Sequence, residues 1–119
     1  MKEINWETKE NNQLLEAFLA LKNKDEIKRF LRDLMTEKEI KEFSNRLEAA
    51  SLLTKDVQYN AIIESTGLSS TTIARIVKWL KGPLGGYRLI LSRLYPSFNT
   101  NFNHHHNSPK IRKGLSLNS

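Results

Sequence analysis

Residues 59–80, YNAIIESTGLSSTTIARIVKWL, decide how this chain reads. Gly67 interrupts an otherwise helical pattern where the chain must turn sharply, and a residue without Cβ accepts positive φ there at little steric cost. Leu68, Ile73 and Ile76 follow it at offsets that bring the apolar side of a second helix back onto a first. Ile62, five residues before the glycine, does the same from the first helix. The side left outward carries Ser69, Ser70, Thr71 and Thr72, then Arg75 and Lys78, and no acid. Short hydroxyl side chains let a helix come close to base edges, and cations suit phosphates. The segment predicts a helix-turn-helix reader of DNA at 58–81. Its first helix falls at about 58–65 and its second at about 69–81.

Charge follows the same boundary. Residues 1–35 hold seven Lys/Arg and seven Asp/Glu, residues 36–56 four and five, and residues 57–119 eight and one, the one acid being Glu64. The net charge of +6 therefore lies in the reader segment and the residues C-terminal to it. A polyanion is the natural partner of such a surface. The plainer alternative is a solubilising face, and clean segregation of sign argues against it. Lys78 and Lys81 read as anchors for the DNA backbone.

Upstream, apolar residues recur at helical spacing. A first helix is expected over Trp6 to Lys22 with Leu14, Leu15, Phe18 and Leu21 as its stripe. A second is expected over Lys24 to Leu34 with Ile27, Phe30, Leu31 and Leu34. Asp25 and Glu26 suit the positive end of the second helix. Thr36 and Glu39 have capping-box spacing, so a third helix starts there and runs to about Leu53, with Ile40, Phe43, Leu47, Ala50 and Leu53 on its buried side. Gly82-Pro83 ends the reader's second helix, and a last short helix is expected over Tyr87 to Leu94, apolar nearly all round. No strand alternation survives, so the expected fold is all-α with six helices.

The 119 residues make one domain's worth of chain, 39% apolar and without cysteine, which excludes disulfides and thiolate metal sites. MKEINWETKENNQ lacks the apolar stretch of a signal peptide, and no run reaches the roughly 20 apolar residues of a membrane span. The expectation is a cytoplasmic protein with no membrane partner. Residues 1–95 read as the helical DNA-binding domain and 96–119 as a disordered, basic, Asn/Ser-rich tail. His104-His105-His106 in that tail form no metal-site geometry; a purification-tag remnant is the alternative, though such tags are normally longer and terminal. There is no nucleophile elbow and no P-loop, so neither an enzyme nor a cofactor is expected.

LMTEKEIKEFSNRLEAASLL followed by TGLSSTTIARIVKWLKGPLGGY resembles the Trp repressor superfamily, and within it the YerC/YecD subgroup, over about residues 10–94. The resemblance implies an interlaced homodimer of six-helix subunits with two projecting reader heads, meeting double-stranded DNA at a two-fold symmetric site. It maps base-approaching positions onto Ser70, Thr71, Thr72 and Ala74, with Tyr59 and Asn60 opening the reader's first helix. Ser69 or Ser70 equally serves as the helix cap, and Tyr59 equally packs against the end of the third helix. The two arginines that sandwich the corepressor in tryptophan repressors fall on Arg46 and Arg75. A small residue of that ligand site falls on Ile76, and a small polar one on Trp79; both substitutions fill the space. A tryptophan corepressor is therefore not expected, and Arg46 reads better as an ion pair with Glu42 than as a ligand contact. The expected function is a dimeric, sequence-specific transcriptional regulator acting as a repressor. An architectural DNA binder of low specificity and a protein-interaction adaptor are the alternatives.

Overall fold

The computed structural model describes residues 3–83 and 85–96. They form six α-helices and no strand: α1 (Lys9–Ala20), α2 (Lys24–Leu34), α3 (Glu37–Thr54), α4 (Tyr59–Thr66), α5 (Ser70–Lys81) and α6 (Gly86–Leu94). All but the first residue of the expected tail, 96–119, with its three histidines, lies outside the described residues. The chain divides into two compact units that part between Ile40 and Lys41.

In the first unit the helix ends are set by side chains. Thr8 Oγ1 accepts from the Asn11 amide at 3.1 Å, so α1 starts after Thr8 and not at Trp6. The Leu21 amide bonds the Phe18 carbonyl at 3.2 Å and closes α1 before Lys22. α2 has the expected bounds. Asn23 Oδ1 accepts from the Glu26 amide at 2.9 Å, and the Glu26 carboxylate accepts from the Lys22 amide at 2.8 Å. The Phe18 and Phe30 rings meet edge to face, with centroids 5.6 Å apart. The expected apolar stripes are present, yet neither helix has a buried residue: Leu14, Leu15, Phe18, Ile27 and Leu34 are 37–46% exposed. Periodicity tells which side of a helix is apolar; it does not tell what covers that side.

α3 opens on the expected capping box. Glu39 Oε1 accepts from the Thr36 amide at 2.9 Å, and Thr36 Oγ1 accepts from the Glu39 amide at 3.1 Å. The helix ends in a Schellman turn, in which the Val57 amide bonds the Leu52 carbonyl at 3.2 Å and the Asp56 amide bonds the Leu53 carbonyl at 3.2 Å. Asp56 takes the left-handed position, φ 62°.

The core belongs to the second unit. Ala49, Ala50 and Leu53 of α3 join Ile62 of α4, Leu68 of the turn, Ile73, Ile76, Val77 and Leu80 of α5, and Leu91 of α6. The two alanines are fully buried and let another backbone approach closely. Of the side of α3 expected to be buried, Ala50 and Leu53 are buried, Ile40 and Leu47 are half-buried, and Phe43 is exposed.

Candidate nucleic-acid interface

α4 and α5 are joined by a turn held by hydrogen bonds on both sides of the bend. Gly67 sits at φ 76°, ψ 4°, and its amide donates to the Ile63 carbonyl at 2.8 Å. A Cβ on Gly67 would meet no heavy atom within 4 Å, so the glycine answers a torsional demand and not a steric one. Thr66 is the last residue of α4 and is buried. Its hydroxyl donates to the Ile62 carbonyl at 2.7 Å and accepts from the Leu68 amide at 3.2 Å, bridging the bend. Thr before Gly carries little signal for this bridge, because the role appears only once Thr66 is known to be buried.

Ser69, and not Ser70, caps α5: its Oγ accepts from the Thr72 amide at 3.1 Å and lies 3.1 Å from Thr72 Oγ1. The four-hydroxyl cluster is therefore two pairs of different kind. Ser69 and Thr72 engage each other, whereas Ser70 and Thr71 are exposed and make no hydrogen bond through their side chains among the described residues. Inward, Ile73, Ile76, Val77 and Leu80 are buried, as the spacing predicts for the two isoleucines. Outward, Ala74, Arg75, Lys78 and Lys81 are exposed, and no ion pair among the described residues holds the three cations. α5 thus presents hydroxyls in its first turn and cations after them on a solvent face without an acid. At the start of α4, Asn60 is exposed. Tyr59 is half-buried against the core, and that burial pushes its phenol above the ordinary tyrosine range.

Arg46 and Arg75 are brought together. With Thr72, Ile76, Trp79 and Tyr87 they line a cleft of about 80 Å³ where α3, α5 and α6 meet. Arg46 is also committed to its own helix. Its Nη2 lies 3.1 Å from Glu42 Oε2, its Nε donates to the same oxygen at 3.2 Å, and its guanidinium covers the Phe43 ring at 5.6 Å. Burial raises the Tyr87 phenol, and the Arg46 charge acts against that shift. Among the described residues no cluster of His, Asp or Glu has a metal-site arrangement, and no helix is long and apolar enough to cross a membrane.

Residues 9–95 match the family model for the Trp repressor protein. The chain is 37% identical to the YerC protein of Bacillus subtilis (strain 168) over 86 residues, which span 72% of this chain and 83% of YerC. Its structure is similar to that of a TrpR-like protein from Eubacterium eligens ATCC 27750, with a TM-score of 0.72 at 35% identity, covering 79% of this chain and 96% of that one. It is also similar to a Trp repressor candidate from Staphylococcus aureus, with a TM-score of 0.68 at 33% identity, covering 74% and 88% of the two chains.

Proposed function

The chain belongs to the Trp repressor family, and from that membership we propose that it is a dimeric, sequence-specific DNA-binding regulator that represses transcription in the cytoplasm. The observation that carries the reading is the face of α5, where hydroxyls on Ser70 and Thr71 and then the cations Arg75 and Lys78 have no side-chain partner among the described residues. The helix enters the major groove, Ser70 and Thr71 approach base edges, and Arg75, Lys78 and Lys81 meet phosphates. Tyr59 and Asn60 stand at the N-terminal end of α4, where the groove wall would pass. Ser69 and Thr72 hold the first turn of α5 in shape through their shared cap. Repression needs only that a bound dimer occlude a promoter.

Two features support a homodimer. The stripes of α1 and α2 hold no buried residue, and Leu89, Ile90 and Leu94 of α6 are 42–53% exposed. Large apolar side chains left exposed suit a protein interface, and a second copy of the chain is the occupant that the family suggests.

Free tryptophan is not the effector in this reading. The cleft between Arg46 and Arg75 offers about 80 Å³, well below the roughly 300 Å³ at which small-molecule pockets begin. Ile76 and Trp79 occupy its wall, and Glu42 already engages Arg46.

Salt titration of duplex binding tests the proposal. Affinity falls steeply with rising salt, and Lys78→Ala lowers the slope of log K against log salt by about 0.9, the value of one phosphate contact. Thr71→Ala narrows the gap between preferred and random duplexes, while Lys78→Ala weakens both about equally. Uniform losses in both variants would leave an architectural binder of low specificity, a reading favoured by the mutual engagement of Ser69 and Thr72. Binding indifferent to salt would point to a protein partner instead.

A further inference from the structure

We propose that Arg88 is a positioning residue for the reader helix: its guanidinium staples the C-terminal end of α5 to α6 and thereby fixes the angle at which α5 is presented. Leu80 is the second-last residue of α5, so its carbonyl has no amide four residues on within the helix. Arg88, in the first turn of α6, supplies the donor: its Nη1 bonds the Leu80 carbonyl. A cation at this end also meets the negative pole of the helix dipole.

The staple depends on a second residue. Gly85 stands at φ 62°, ψ 31° and opens α6 without a side-chain cap. A Cβ there would lie 2.7 Å from Arg88 Nη2 and 3.3 Å from Arg88 Cζ. Real Cβ atoms do not approach so closely, so a side chain at 85 would make the guanidinium shift from this position. Leu80 and Leu91 are both fully buried in the same core and tie the two helices by non-directional packing. The Arg88 bond adds a directional constraint to that packing. Arg88 is half-buried with Nη1 spent on a backbone carbonyl, in contrast to the exposed Arg75 and Lys78.

The inference rests on the DNA-reading proposal for its consequence, and two substitutions separate it from a plain phosphate contact. Arg88→Met removes the staple and a positive charge. Gly85→Ala displaces the guanidinium and removes no charge, but it also strains the backbone at φ 62°, so its loss counts only alongside that of Arg88→Met. Both variants are expected to lose roughly tenfold in affinity for a duplex selected from a random pool, the scale of one charge-assisted hydrogen bond. Affinity for random duplex and the salt slope stay close to those of the unaltered protein. Arg88→Lys, whose ammonium can still reach the carbonyl, recovers part of the loss. Wild-type affinity in Arg88→Met would overturn the proposal. So would an equal loss on both duplexes with a slope lower by about 0.9, which is the mark of a phosphate anchor.

Amide hydrogen exchange provides the DNA-free arm. Exchange at Lys81 and Gly82 accelerates in Arg88→Met and less in Arg88→Lys, with helical circular dichroism retained. Unchanged exchange at those amides would overturn the staple even if the protein bound no DNA. A faster exchange in a protein that ignores duplexes would uphold the staple and refute the DNA reading alone.

Discussion

Replacing Gly67 by alanine isolates the torsional demand of the reader's turn. The residue sits at φ 76°, ψ 4°, and an added Cβ meets nothing within 4 Å. Sterics beyond the residue itself therefore contribute nothing, and the penalty is that of placing an L-residue in the left-handed region, about 1–2 kcal/mol. Alanine also narrows the unfolded ensemble, which returns roughly 0.4–1 kcal/mol. The net expectation is a loss of about 1 kcal/mol, or a melting midpoint lower by ~4–8 °C for a domain of this size. Gly67→Asn, which tolerates the left-handed region better, should lose clearly less. The assay is thermal and urea unfolding of the three proteins at one protein concentration, because assembly makes the midpoint depend on it. The reasoning is refuted if alanine matches glycine, or if asparagine is as harmful as alanine. A loss above about 3 kcal/mol would also refute it, since the principal cost of a single left-handed residue is smaller than that.

Leu80→Ala, at a fully buried site shared by α5 and the core, should destabilise the protein by about 2–5 kcal/mol in urea unfolding. Ser69→Ala removes the α5 cap and should lower stability by about 1 kcal/mol; a neutral result would show that Ser70 takes over. Burial raises the phenols of Tyr59 and Tyr87 above 10.0. The unfolded chain then releases those protons first, so the stability they contribute is complete below pH 10 and is lost as pH climbs through the folded values. Tyr59→Phe and Tyr87→Phe should each flatten that alkaline decline, and an unaltered decline in both would exclude these phenols as its source. Saturating free tryptophan should leave duplex affinity unchanged, whereas an increase of roughly tenfold, about 1.4 kcal/mol, would show that the Arg46–Arg75 cleft opens further than its 80 Å³.

Much of the reader was legible because it rests on local rules. Gly67, the buried Ile62, Leu68, Ile73 and Ile76, and the Thr36–Glu39 capping box all stand where spacing put them. α2 was legible to the residue, since Asp25 and Glu26 mark its first turn. The first helix was read too long because apolar periodicity continues past both ends, while Thr8 and the Leu21 amide decide where hydrogen bonding stops. Which hydroxyls are free could not be read. Ser69, Ser70, Thr71 and Thr72 are chemically alike in sequence, and only the cap geometry separates Ser69 and Thr72 from the other two. The Arg88 bond was equally hidden, because it depends on a left-handed Gly85 and on the approach of two helices. Arg46 illustrates a reading that was open from sequence: it both pairs with Glu42 and lines the cleft with Arg75.

The most direct test of the central claim is selection of bound duplexes from a random pool with the full chain. The account predicts recovery of one half-site repeated in inverted orientation, with its centres about 10 base pairs or a multiple apart, and loss of that enrichment in Thr71→Ala. A pool that emerges without enrichment, or duplexes that fail to bind at low salt, would contradict it.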